Sequence, residues 1–334
     1  MNKTIELYQE LYNDLVSSTY GLDSNLYRKY LYDIGDGIVY SVSVKNRTRA
    51  LSIPILQENK KIIFPVWKGV DIALVTLPEY SNDDQLFIQL RQMPDTEAYI
   101  YEIVVEDIRK ALESANDIKD FANITQRILK KWKDFFSSGK KPVLSEKSAQ
   151  GLYGELLFLK ELIAEFGTQV VNSWAGVNNE THDFYIGQHA VEIKTSVTQA
   201  PYMAHINSEY QLDDQDVNGQ LFLRMYAFRK DAIGGEKLPA LIKELRRIFE
   251  SEVSLLELFN EKLSKAGYLD SAESYYVDGY TIREKYTFEV KKGFPRIIRI
   301  ELMNGIYDLE YSVSIAQCMD FAIETKDMME VLKR

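Results

Sequence analysis

Apolar positions recur with two different periods along this chain, and the changes of period mark its organisation. Residues 3–20 follow helical spacing, with Ile5, Leu7, Leu11, Leu15 and Val16 on one stripe. From 38 to 104 the pattern breaks into short strand-like runs, 37–44, 50–56, 61–66, 70–77, 86–90 and 99–104, punctuated by Pro54, Gly69, Pro78 and Pro94. These runs predict a β-rich N-terminal domain over 1–105. Helical spacing returns over 106–136, and Ser137-Ser138-Gly139-Lys140-Lys141-Pro142 is the strongest boundary signal, so 106–142 is expected to be a basic helical connector.

Beyond the boundary, 145–165 reads as an amphipathic helix with Leu152, Leu156, Leu159, Ile163 and Phe166 at three- and four-residue steps. Ser145 is its N-cap, with Ser148 as the alternative. Gly151 and Gly154 lie inside it, although Gly costs about 1 kcal/mol against Ala in a helix; such a glycine marks close approach of another backbone. Residues 182–194 read as a hairpin, and 202–212 stays open between strand and helix. A strand follows over 220–228, then a long helix over 238–265 stopped by Gly267, then strands over 275–314. The expected units are therefore a core over 143–235 and a C-terminal extension, 236–334, whose helix and strands pack on it.

The hairpin carries the chemistry. With Gly187-Gln188 as a two-residue type II′ turn, Ile186 pairs with His189 and Asp183 falls opposite Glu192. Directly opposed residues share a face with Cβ atoms roughly 4.5–5.5 Å apart, so both carboxylates can grip one cation. Period two adds Lys194 to that face and turns Val191 and Ile193 to the other. Two carboxylates this close repel, and a divalent ion lets both stay ionised; their oxygens suit hard cations such as Mg²⁺, with Mn²⁺ as a substitute. The metal would polarise a phosphoryl oxygen, and Lys194 would orient the attacking water. Glu155, on the preceding helix, reaches the metal from the side if that helix packs on the hairpin. Spacing alone is not specific, since Glu-x-Lys recurs at Glu289-Val290-Lys291 and Glu324-Thr325-Lys326, and an alternating strand with a solvated face gives the same pattern.

The order Gly151-Leu152-Tyr153-Gly154-Glu155-Leu156-Leu157-Phe158-Leu159, Trp174, His182-Asp183-Phe184 and Val191-Glu192-Ile193-Lys194-Thr195 resembles a group of prokaryotic proteins assigned to the PD-(D/E)XK nuclease superfamily. The later runs Gly293-Phe294-Pro295-Arg296-Ile297 and 305–313 look like the same group's C-terminal signature, so the resemblance covers roughly 145–320. It implies an α+β (α/β) fold with a restriction endonuclease-like core, a mixed sheet flanked by helices in the order αβββαβ. It also implies Asp183 and Glu192 as metal ligands, Lys194 as the catalytic lysine and Glu155 as the helix carboxylate. The Pro that names the motif is absent; His182 precedes Asp183 instead. Members of this group resemble restriction or phage-defence components.

Composition narrows the class. At 334 residues, with 46% hydrophobic and 12% aromatic content, the chain is globular and long enough for two or three packed units. No apolar run approaches the ~18 residues of a membrane span. The N-terminus lacks a signal-peptide core and there is one cysteine, Cys318, so a cytoplasmic protein without disulfides or cysteine zinc sites is expected. No phosphate loop, nucleophile elbow or histidine zinc pattern occurs, which leaves no nucleotide cofactor in this chain. The net charge is −10, yet 124–142 carries +5 through Arg127, Lys130, Lys131, Lys133, Lys140 and Lys141, and 283–299 carries +4. Either segment can track a phosphate backbone, or be a solvated face.

The sequence thus points to a Mg²⁺-dependent endonuclease acting on DNA, in a restriction or phage-defence setting with other subunits as possible partners. The alternative is a catalytically inactive, nuclease-like DNA-binding or assembly subunit of such a complex.

Overall fold

The computed structural model describes the chain apart from residues 1, 18, 66–68, 79, 81–83, 140 and 179. It divides into two compact units, Met1–Pro142 with Asp270–Ser274, and Val143–Leu269 with Tyr275–Arg334. Both helices and strands build each unit, a mixed α+β architecture.

In the first unit, helix α1 (Lys3–Ser17) buries Thr4, Leu7, Tyr8 and Leu11. Five strands, β1 (Asn25–Leu31), β2 (Gly37–Ser43), β3 (Arg49–Ile55), β4 (Val70–Val75) and β5 (Leu86–Gln92), form an antiparallel sheet in the order β1-β2-β3-β5-β4. Helices α2 (Ala98–Leu112) and α3 (Phe121–Ser137) complete the unit. Residues 106–142, expected as a connector, thus belong to it. The strand expected over 99–104 is instead the start of α2: its β-branched and aromatic residues favour a strand locally, but Tyr101, Val104, Val105 and Ile108 are buried at helical steps. Over 61–66 a 3₁₀ turn ends at Lys61 and residues 62–65 join no sheet, with Val66 outside the described residues. Strand β1 escaped the sequence pattern because it is a half-exposed edge with charges at Arg28 and Lys29. Buried charges here are paired: Glu106 accepts Thr4 Oγ1 at 2.8 Å and both Arg109 Nε and Nη2 at 2.9 Å.

In the second unit, α4 (Glu146–Phe166) starts at the expected cap, where Ser145 Oγ accepts Ser148 N–H at 3.1 Å, and ends at Gly167 with φ +79°. The next elements are β6 (Phe184–Ile186), β7 (His189–Ser196), β8 (Met203–Ile206), β9 (Leu221–Lys230), β10 (Glu236–Lys237), α5 (Leu238–Phe249) and α6 (Val253–Lys265). The last are β11 (Gly279–Val290), β12 (Tyr311–Ser314) and α7 (Thr325–Leu332). The sheet order is β10-β11-β9-β7-β6, with β7 and β9 parallel and the other pairs antiparallel; β8 pairs with β12 in a ladder of its own. The single helix expected over 238–265 is two, because the polar run Glu250-Ser251-Glu252 interrupts the stripe of Leu241, Leu245 and Phe249 before Leu255, Phe259 and Leu263 resume it.

Strand β9 shows how the core is divided. Leu221, Leu223, Met225 and Ala227 join Ala204, Ile206, Phe288 and Val313 on one side. Phe222, Arg224, Tyr226 and Phe228 alternate to the other, where α4 lies: Arg224 pairs with Glu161 at 2.7 Å, and the Phe228 ring meets Tyr153 at 5.3 Å. Gly154 brings α4 onto β7, for a Cβ there would stand 2.3 Å from Thr195 Cγ2 and 3.5 Å from Ile193 Cγ2. Gly154→Ala should therefore destabilise by about 1–3 kcal/mol, since the β-branched Thr195 cannot swing aside. Gly151→Ala, whose Cβ meets nothing within 4 Å, should gain up to about 1 kcal/mol. Denaturant unfolding of both variants checks this, and equal shifts would refute the close approach.

Candidate functional site

The β6/β7 hairpin has the register that its turn dictates. Ile186 pairs with His189 and Phe184 with Val191 around Gly187 at φ +61°, so Asp183 lies one step beyond the last pair. There its carboxylate replaces a backbone acceptor: Asp183 Oδ2 takes the Ile193 N–H at 2.7 Å. The loop before it closes on the same residue, with Ala175 N–H and Gly176 N–H donating to Asp183 O at 2.8 and 3.1 Å. Gly176 allows this approach, because a Cβ would sit 2.8 Å from Asp183 Oδ1.

Glu192 and Lys194 follow on β7, both buried. Lys194 Nζ donates to Glu192 Oε1 at 2.7 Å and to Gln211 Oε1 at 2.8 Å, and Gln211 Oε1 is itself held by Asn207 N–H at 2.8 Å. Glu155 comes from α4, and Trp174 Nε1–H donates to its Oε2 at 2.8 Å. Trp174 is fully buried, so it orients a carboxylate and offers no face for a base. Glu155, Asp183, Glu192, Lys194 and Gln211 share the wall of one cleft of about 550 Å³.

Three carboxylates face one ammonium there. Burial pushes Glu155 up to about 7, aided by the charge of Glu192 and opposed by the Trp174 hydrogen bond and Lys194. Burial also raises Asp183 well above the usual carboxylate range, with Glu192 and Glu155 adding to it against Lys194 and the Ile193 N–H. Glu192 Oε2 is buried with no hydrogen-bond partner, as are both ring nitrogens of His182 nearby. Among the described residues, no group of three or more His, Cys, Asp or Glu side chains forms a ready-made metal cage.

The basic residues sort differently. In the first unit, Arg127, Lys130 and Lys133 line one cleft of about 680 Å³ along α3, beside Ile63, Phe64 and Pro65. Lys131 turns to Asp107, 3.0 Å away, Lys141 is exposed, and Lys140 lies outside the described residues. Segment 283–299 is largely engaged within its own unit: Arg296 holds Asp214 and the Leu212 carbonyl, and Lys285 stands 3.6 Å from Glu161. Lys291 of the competing Glu-x-Lys pairs with the adjacent Glu289. Sequence reasoning missed Gln211, which sits in a turn without periodicity. His189, beside the turn, is buried, and its Nδ1 accepts the Gln220 N–H at 2.9 Å.

Compared with known proteins, residues 34–316 match the model of a family described as "Putative PD-(D/E)XK family member, (DUF4420)". No curated protein and no solved structure gives a significant match. No helix among the described residues is long and apolar enough to cross a membrane.

The raised carboxyls make a prediction about pH. A carboxyl whose pKa rises on folding binds more protons in the native than in the unfolded state, so stability falls as pH rises through that window. For Glu155 the window runs from its ordinary 4.5 to about 7. In EDTA, thermal unfolding of Glu155→Gln should depend less on pH across it, with a higher midpoint than wild type above pH 7. An unchanged pH dependence would mean that Glu155 does not carry this strain.

Proposed function

The chain belongs to this PD-(D/E)XK family, and on that premise we propose that it is a metal-dependent DNA endonuclease, a hydrolase of phosphodiester bonds. One observation carries the reading: Glu155 from α4 and Asp183, Glu192 and Lys194 from the hairpin meet in a single cleft. The element order adds support. With β8 outside the main sheet, and the two-residue β10 and the second helix α6 set aside, the remaining elements follow the order α4, β6, β7, β9, α5, β11, which is compatible with an αβββαβ core.

Asp183 and Glu192 would hold a divalent ion, Mg²⁺ or Mn²⁺. The donor set fits, since Glu192 Oε2 is buried with lone pairs that no protein group uses. When bound, such an ion polarises a phosphoryl oxygen and acidifies a water. The chain's own groups do the rest. Glu192 and Gln211 fix two of the three N–H directions of Lys194, leaving the third for the attacking water or a phosphate oxygen. Trp174 occupies Oε2 of Glu155, so its Oε1 can hold or release a proton near neutrality. Arg127, Lys130, Lys131, Lys133, Lys140 and Lys141 would supply phosphate contacts. Restriction or phage defence, with further subunits, is the setting we propose. A second reading, an inactive DNA-binding or assembly subunit, is favoured by one feature: Asp183 Oδ2 and Glu192 Oε1 already have partners within the protein.

Incubation with plasmid, linear and single-stranded DNA separates the two. Cleavage is expected with Mg²⁺ or Mn²⁺ and none in EDTA. Lys194→Ala should lose on the order of 100-fold or more in rate while keeping the metal-induced rise in melting temperature. Asp183→Ala should lose that rise. Wild-type cleavage by Lys194→Ala would sink the assignment of the lysine, and no cleavage of any DNA with either ion would favour the inactive subunit.

Neutralising Arg127, Lys130 and Lys133 together should weaken binding to all DNA sequences alike. The log–log salt slope should flatten by roughly 0.9 per lost phosphate contact. Lys131→Gln should do less, as that lysine is engaged by Asp107. An unchanged slope and affinity in the triple variant would make this helix face a solvated one.

A further inference from the structure

Two buried polar atoms without partners face each other beside the candidate catalytic groups. His182 Nδ1 stands 3.7 Å from Glu192 Oε2, and each residue is 1% exposed. Neither atom has a hydrogen-bond partner, nor has His182 Nε2. Native structures seldom leave such atoms unmatched, and an unmatched pair at one place calls for a bound species.

The separation discriminates among the species that could join them. It is too long for a direct hydrogen bond, whose N···O distance centres on about 2.9–3.0 Å. It is too short for a bridging water, because two legs of about 2.8 Å at a water's angle need roughly 4.5 Å. Two donors on one cation, each about 2.0–2.2 Å from it at a near-tetrahedral angle, lie roughly 3.3–3.6 Å apart, close to what is observed.

We propose that His182 Nδ1, buried beside the cleft, and Glu192 Oε2, on its wall, are neighbouring ligands of the ion held at Glu192, and that this site therefore prefers a transition ion such as Mn²⁺ or Zn²⁺ over Mg²⁺. The inference rests on the metal site of the nuclease reading and specifies its donor set. An imidazole nitrogen is the donor that discriminates, for it suits first-row transition ions, whereas Mg²⁺ takes oxygen. His182 occupies the position of the proline that names the motif, so the substitution places a nitrogen donor next to Asp183. Ligation through Nδ1 leaves the ring proton on Nε2. His189 cannot serve, because its Nδ1 is taken by Gln220 N–H. His205 lines the cleft, which the buried His182 does not, and is the necessary control.

The test uses full-length protein without a histidine tag and needs no DNA. Calorimetric titration should give tighter binding of Mn²⁺ and Zn²⁺ than of Mg²⁺. His182→Ala and His182→Gln should both weaken the transition ions by about tenfold or more, with much less change for Mg²⁺. His205→Gln should leave the preference in place. Pulsed electron paramagnetic resonance of bound Mn²⁺ should detect an imidazole nitrogen in wild type and in His205→Gln but not in His182→Gln, a readout that does not depend on the alanine variant folding. Undiminished affinity in His182→Gln would overturn the proposal, reducing His182 to a hydrogen-bonding neighbour that an amide can replace. Nitrogen coupling lost only in His205→Gln, equal affinities for Mg²⁺ and Mn²⁺, or no ion binding would overturn it too. Cleavage assays stand apart from these titrations, so a Mg²⁺-preferring protein that cuts DNA would remove this inference and leave the nuclease reading intact.

Discussion

Three carboxylates and one ammonium crowded at the open end of a β-hairpin, Glu192 and Lys194 buried and Glu155 and Asp183 half-buried, are the constraint on which the second unit turns. Lys194 can neutralise one of Glu155, Asp183 and Glu192, so the cluster is strained as it stands, and the strain appears in the raised pKa values of Glu155 and Asp183. A fold does not bury such a set for stability, because ionic groups in a core return less than apolar packing of the same volume. On the function proposed above, we read the cluster as a place prepared for a cation.

Much of the surrounding structure holds those charges in position. The parallel pair β7 and β9 fixes the strand that carries Glu192 and Lys194. Gly154 lets α4 approach that strand closely enough for Glu155 to reach the cleft. Trp174 clamps Glu155, and its own carbonyl accepts from the buried Lys262 of α6, so an element far along the chain bears on the orientation of one carboxylate. Gln211 ties the cleft's lysine to the backbone of Asn207. These anchors are neutral or paired, which leaves the unbalanced charge concentrated where a ligand would meet it.

What was legible in the sequence follows from how local each signal is. The Ser145 cap, the α4 stripe and the Ile186–His189 register are short-range matters of spacing and turn chemistry, and they could be read directly. The strand expected over 99–104 became the start of α2 because burial of Tyr101, Val104, Val105 and Ile108 outweighs their local preference. The break at 250–252 was hidden because the apolar stripes on either side share one period. Gln211 could not be found at all: its role comes from a turn that folds back to Lys194, and a glutamine in a turn carries no pattern. The six basic residues of 124–142 looked equivalent, but Lys131, one residue and roughly 100° around the helix from Lys130, leaves the α3 cleft and is engaged by Asp107.

The central claim is that this carboxylate cluster is a cation site. Its most direct test is anomalous difference density from crystals soaked in Mn²⁺, which locates an ion without reference to activity. A peak within coordination distance of both Asp183 and Glu192 is expected. An ordered cleft with no peak, or ions bound only elsewhere, would contradict the claim.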